Sequence, residues 1–290
     1  MRFIFINAEK ANYPVGLMCR VLQVSRAGFY AWTRRRPGRR ARENAALELQ
    51  IKSIHQLSRG RYGSPRIHRE LRKRGFPFGE HRVARLMRQM RVAARLRRRF
   101  VVTTRSEHGR PVASNVLNRR FRPSGPNQVW ATDITYIRTA EGWLYLAVVL
   151  DLYSRRVVGQ CMDARMDERL VLRALDMALK SRRPPKGLVH HSDRGSQYAG
   201  AAYQKALQQR GLVGSMSRRG NCWDNAVVES FFSSLKAEEV ERQPYASRLQ
   251  AKLGIEAWLS FYNHRRSHST LGYVSPGEYE WAARRSGLVV

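Results

Sequence analysis

The chain has 290 residues, 43% of them hydrophobic, which is enough for ordinary cores in two domains, or three small ones, and too apolar for a disordered protein. Its formal net charge is +32, from 54 Lys and Arg against 22 Asp and Glu, a balance that asks for a polyanionic partner, nucleic acid first. No apolar run approaches the ~18 residues of a transmembrane helix, residues 1–10 are too short and mixed for a signal peptide, and three cysteines without a CxxC pair argue against a zinc site or disulfide framework and for a reducing cytoplasm.

The surplus charge is concentrated early. Residues 1–127 hold 31 Lys and Arg against 6 Asp and Glu, net +25, whereas residues 128–290 hold 23 against 16, net +7. Along the first part, residues 14–33 read as helix, turn, helix, with Leu17, Met18, Val21 and Leu22 as an apolar stripe and Ser25 as N-cap of the second helix. A helix-turn-helix remnant and a purely structural hairpin fit that pattern equally. The arginine run from Arg34, Arg35 and Arg36 to Arg40, broken by Pro37-Gly38, is expected to be a solvated linker against DNA phosphates. An amphipathic helix follows over 43–58, and another starts at Ser64-Pro65. A third begins near Glu80, with Val83, Leu86, Met87 and Met90 as its core stripe and Arg82, Arg85 and Arg88 elsewhere on the cylinder. A core face plus an arginine face, after a tight Gly-containing turn, suits a DNA recognition helix; the alternative is a solvated face that happens to be basic. Residues 101–125 read as a linker ending in Pro123-Ser124-Gly125-Pro126.

From Gln128 the pattern turns to strands. Residues 129–137, 143–152 and 156–162, joined by short turns, predict an antiparallel meander. A helix over 167–182, a strand at 187–191, a helix over 201–210, a possible strand at 212–216 and a helix over 226–239 complete the order of a ribonuclease-H-like α/β fold, a mixed five-stranded sheet with helices. The expected organisation is an N-terminal segment 1–42, an all-α helix-turn-helix DNA-binding domain 43–100, a linker 101–125, a catalytic core 126–245 and a helical extension 246–290.

Three carboxylates stand out. Asp133 lies inside an apolar strand, where an unpaired carboxylate needs a cation, hydrogen bonds or a shifted pKa. Asp193 follows an apolar strand, at the carboxyl end where α/β sheets place ligands. Glu229 sits on a helix, with Asn225 four residues before and Lys236 seven after on one face. Taken singly they read as a capped strand-end Asp, a turn-forming Asp and a solvated helical Glu. Together they could hold two Mg²⁺ or Mn²⁺ ions for an in-line phosphoryl displacement. Asp151, at a hairpin, is expected to hydrogen-bond its turn, His190 and His191 to be structural or to neighbour the substrate, and Trp130, Trp143 and Trp223 to pack in the core or rim rather than serve as base-stacking platforms.

The segments 130–136 (WATDITY), 191–198 (HSDRGSQY) and 225–232 (NAVVESFF), with 35 residues between Asp193 and Glu229, resemble the catalytic blocks of bacterial insertion-sequence transposases of the OrfB type, whose core is similar to retroviral integrase. Residues 45–100 and 261–276 resemble that family's helix-turn-helix segment and C-terminal block. The resemblance implies an integrase catalytic core in which Asp133, Asp193 and Glu229 hold the metal ions, and Lys236 contacts the DNA end. It implies nicking of double-stranded element ends by metal-activated water and transfer of the freed 3′-hydroxyl to target DNA. It also implies a homo-multimer on DNA, a first-frame partner protein or a frameshifted fusion, and a cytoplasmic, nucleoid-associated location without a membrane. Two rivals stay open: a non-catalytic DNA-binding regulator, and a nuclease or resolvase that cuts without joining.

Overall fold

The computed structural model describes residues 1–36, 38–94, 111–219 and 221–287. Residues 95–100 of the expected helix-turn-helix domain and 101–110 of the expected linker lie outside it. The chain divides into two compact units, Met1–Ala93 and Ala94–Val290.

The first unit is all helical: α1 (Arg2–Glu9), α2 (Val15–Val21), α3 (Arg26–Arg34), α4 (Arg39–Leu57), α5 (Ser64–Lys73) and α6 (Glu80–Gln89). Ser25 caps α3 by accepting from the Gly28 N–H at 2.9 Å. Ile6, Met18, Cys19 and Phe29 form the core of α1–α3. Leu17 and Val21 are exposed, so the buried face of α2 is Met18–Cys19 rather than the expected stripe. The second helical group closes over Leu47, Ile51, Ile54, Ile67, Leu71, Val83, Leu86 and Met87, residues spaced by three and four on each helix. Two sequence expectations shift here. Helix α4 starts at Arg39, so it takes in part of the arginine run, and Ser64 is the first residue of α5 behind an N-cap at Gly63.

The second unit is built on β1 (Val129–Thr139), β2 (Gly142–Asp151), β3 (Val157–Asp163), β4 (Val189–Ser192) and β5 (Val213–Met216), in the order β3-β2-β1-β4-β5. The first three pair antiparallel, and β4 joins β1 and β5 in parallel. Helices α7 (Glu168–Arg182) and α8 (Ala201–Gln209) cover one face, over Trp130, Ala147, Val149, Leu175, Tyr198 and Tyr203. On the other face α9 (Ala226–Glu238) and α10 (Arg248–His264) bury Ala131, Ile137, Leu146, Val148, Phe231, Trp258 and Tyr262. Neighbouring Trp130 and Ala131 thus point to opposite layers, as the period-two pleat requires. Gly159 is where α7 meets the sheet: a Cβ there would lie 2.2 Å from the Ala174 carbonyl oxygen.

Two buried ion clusters fasten the C-terminal part. Arg266 on the loop after α10 makes a two-pronged pair with Glu238 of α9, both nearly inaccessible. Helix α11 (Pro276–Arg285), begun by a Ser275–Glu278 capping box, places Glu280 between Arg182, Arg156 and the Ser154 hydroxyl. Residues 111–125, the described part of the expected linker, are tied to this second unit: Leu117 is buried in its core and donates its N–H to Ser215 Oγ at 3.1 Å.

Candidate active site

The parallel pairing of β1 with β4 sets Ala131 beside His191. Two residues further along each chain stand Asp133, in the middle of β1, and Asp193, just past the carboxyl end of the neighbouring β4. Asp133 remains held in β1 by pairing with Val148 of β2, whereas Asp193 has left β4, and its Oδ1 accepts the Gly195 N–H at 2.9 Å in an Asx-type turn. The start of α9 is docked onto β1 by Asn225, whose Nδ2 donates to the Thr132 carbonyl at 3.4 Å, one residue from Asp133. Glu229 is one turn beyond Asn225, on the same face of α9.

The electrostatics tie these groups together. Burial, then the negative charge of Asp193, lifts the Asp133 carboxyl well above the ordinary range; Glu229 adds to the rise, while the Ile134 N–H and Lys236 oppose it. Burial also raises Glu229. Among the described residues no three His, Cys, Asp or Glu side chains close on one point tightly enough to share an ion. The three carboxylates are therefore neighbours through their fields without forming a closed cage.

Lys236 lies where two roles meet. Its ammonium feels Asp133 and sits 5.0 Å from the centroid of the Tyr136 ring. Of the expected DNA-binding arginines, Arg34, Arg35, Arg36 and Arg88 are exposed and Arg85 is half-buried. Arg82 departs from the expected outward-facing role. Its guanidinium donates to Asn44 Oδ1 at 3.0 and 2.8 Å and to Glu43 Oε2 at 3.1 Å, and stacks over Phe78. Two carbonyl-type acceptors on α4 and an aromatic ring satisfy it inside the unit.

Asp151 and the two histidines have structural partners. Asp151 is fully buried and accepts the N–H groups of Asn127 and Tyr153 at 2.7 and 2.8 Å, holding the turn after β2. His190 bonds the Tyr203 hydroxyl at 2.7 Å, and burial pulls its pKa down to about 3. His191 sits between Ser215 and Ser217, pulled down by burial to about 4. Trp130 is in the core, while Trp143 and Trp223 are exposed.

Sequence reasoning did not anticipate Asp224. This carboxylate has no exposed surface and accepts five hydrogen bonds: from Asn115 Nδ2, Arg119 Nε, Arg218 N, Arg218 Nε and Arg218 Nη2. The Arg218 hydrogen bonds, more than those of Arg119, hold it far below the usual carboxylate range. Its partners lie up to 109 residues away, beyond any local pattern.

Comparison with known proteins adds an independent line. The family described as Integrase core domain matches residues 123–222, a second model of the same description matches 210–276, and one described as HTH-like domain matches 41–100. The chain is 43% identical over 283 residues to the transposase InsF for insertion sequence IS3A of Escherichia coli (strain K12), covering 97% of this chain and 98% of the relative. It is 45% identical over 263 residues to the insertion element IS600 uncharacterized 31 kDa protein of Shigella sonnei, covering 90% and 97%. A solved HTLV-2 integrase catalytic core domain in complex with magnesium is 16% identical, covering 55% of this chain and 99% of that one, with a TM-score of 0.42.

Proposed function

This chain belongs to the IS3 family of insertion-sequence transposases, and from that premise we propose that it binds the ends of its element, nicks a strand there and joins the freed 3′-hydroxyl to target DNA, with Asp133, Asp193 and Glu229 as the catalytic carboxylates. The observation that supports the reading is the β1–β4 register, which pairs Ala131 with His191, each two residues before one of the aspartates, while the charges of Asp193 and Glu229 both raise Asp133.

The donor set fits divalent cations. Asp133 is crowded by two negative neighbours and countered by one backbone N–H and Lys236, so a cation beside it would relieve both burial and repulsion. Asp133 and Asp193 are the residues that would hold Mg²⁺ or Mn²⁺, with Glu229 drawn in to complete the set. Two such ions, when bound, activate the attacking oxygen and stabilise the leaving one.

The chain's own residues supply position and charge. The docked α9 fixes where Glu229 can reach, because Asn225 anchors the first turn to β1. Lys236, on the same helix, offers an ammonium to the phosphate next to the cut. Arg34, Arg35, Arg36, Arg85 and Arg88 are the phosphate contacts of the helical unit, and Arg82 holds α6 against α4. Joining two ends calls for more than one copy of the chain on the DNA. A first-frame protein, as partner or as the front of a frameshifted fusion, completes the active species. A member that acts on DNA in the cytoplasm needs no membrane anchor, and among the described residues no helix is long and apolar enough to cross one.

The test is a nicking and joining assay with the intact chain on duplexes carrying the inverted repeats that flank its coding region. Cutting is expected only with Mg²⁺ or Mn²⁺. Wild-type nicking without divalent ions would overturn the metal assignment, cutting without joining would favour the nuclease, and no cutting at all the regulator.

A further inference from the structure

Trp223 is 68% exposed, more than any other of the six tryptophans. A tryptophan ring this open has most of its apolar surface available to a partner. Its exposure does not come from a loose turn. Asp224, next to it, is fully buried under its five hydrogen bonds, with Arg119 and Arg218 each within 2.9 Å. Asn225 is docked on the Thr132 carbonyl, and Asn221 accepts from Arg119 Nη2 at 2.9 Å. The 3-10 turn Cys222–Asn225 is thus pinned before and after the ring, and among the described residues no aromatic or cationic group packs on that ring.

The location matters as much as the exposure. The turn leads directly into α9, with Glu229 six residues after Trp223. Its docking point, Thr132, precedes Asp133. Asp224 lies beside His191, two residues before Asp193. The ring therefore stands on a turn that touches the supports of all three carboxylates. Around it the charge suits a nucleic-acid backbone: two guanidiniums, each with about half its side chain exposed (44% and 47%), share a single carboxylate.

We infer that Trp223 is the stacking platform for a base unstacked from the DNA strand at the cut, with Arg119 and Arg218 facing the adjoining phosphates. A pinned ring loses no freedom when a base stacks on it, and every base offers a π-face, so such a platform holds the strand without reading its sequence. Asp224 then acts as a positioning residue, presenting the ring and the two arginines together. This rests on the reading of the site as one that cuts DNA.

The experiment uses the full chain and terminal-repeat duplexes carrying single 2-aminopurine substitutions at the bases flanking the cut. In an E229Q background, which binds without cutting, the fluorescence of one substituted base is expected to change about twofold or more on binding. W223A should abolish that change and W223F should keep it. In the active chain W223A should slow nicking about tenfold while duplex affinity stays within about twofold, and W223F should stay near wild type. Nicking by W223A at the wild-type rate, or the same fluorescence change without the ring, overturns the inference alone. Dissociation of the DNA-bound multimer on W223A, read by sedimentation, would assign the ring to a contact between copies and also overturn it. A wild-type chain that cuts no duplex removes the cutting reading and this inference together.

Discussion

The two units use charge in opposite ways. Met1–Ala93 carries 22 Lys and Arg against 5 Asp and Glu, and most of its arginines are exposed or half-buried on short helices. Ala94–Val290 carries 32 against 17, and several of its acids are buried with named partners: Asp151 on two backbone N–H groups, Asp224 under two arginines, Glu238 on Arg266, Glu280 on three donors. A surface that grips a uniform polyanion needs surplus cations and little geometry. A site that must hold reacting groups in register needs its charges matched one to one, because a buried unmatched charge is costly. Asp133 differs from these, a half-buried acid facing two further acids, as the proposed metal site would require.

The sharpest break in that contrast would come from Asp133 itself. Asp133→Asn, and likewise Asp193→Asn or Glu229→Gln, should lower nicking by about 10³-fold or more while duplex affinity holds. Asp133→Asn should at the same time raise Tm, since it removes a buried charge crowded by like charges. Full activity in any one variant would take that residue out of the site, and a fall in Tm for Asp133→Asn would mean its charge is matched after all. Next in size, Glu238→Ala removes the two-pronged carboxylate partner of the buried Arg266 and should cost about 3–5 kcal/mol by denaturant unfolding. A loss under about 1 kcal/mol would show this unit's pairs to be as dispensable as surface ones.

Acid probes the same matching through histidine. The folded state holds His190 neutral down to about pH 3, whereas the unfolded chain binds a proton near pH 6.5. Its contribution is therefore fully present above about pH 6.5 and is lost as pH falls toward 3, by about 1.4 kcal/mol per unit in the middle of that window. His190→Gln should flatten the Tm-against-pH curve there; an unchanged curve would assign the acid loss elsewhere. Smallest are the single cations of the first unit. Arg85→Ala or Arg88→Ala should weaken duplex binding and reduce the salt slope by about one. Arg82→Ala should leave the slope alone and lower the stability of the helical unit by about 1–2 kcal/mol, read by thermal unfolding. A reduced slope for Arg82→Ala would return it to the DNA surface.

What could be read in advance follows from the range of each interaction. The meander β1–β3 was legible because β-formers alternate between short turns, and Asp193 was legible because an apolar strand runs straight into it. Glu229 was legible on a helix over 226–239, on one face with Asn225 and Lys236, and the structure buries another side through Val228, Phe231, Phe232 and Leu235. Local signals fared worse where two fits compete. Leu17 and Val21 have helical spacing with Met18, yet α1 and α3 cover the Met18–Cys19 side. Arg82 carried no mark of its partners Glu43 and Asn44, 39 and 38 residues back. The Asp224 clasp joins positions more than a hundred residues apart, where neither periodicity nor capping rules have reach.

The knot under α11 has a consequence for how such a gene decays. Ser154, Arg156 and Arg182 converge on one acid, Glu280, which lies well beyond Glu229 in the chain. A premature stop shortly before Glu280 would leave Asp133, Asp193 and Glu229 encoded, yet strip Arg156 and Arg182 of the carboxylate they share. Copies trimmed at the 3′ end of the gene would thus be lost as folded protein before they were lost as chemistry, and an intact triad in a genome sequence would overstate how many copies still make a working enzyme.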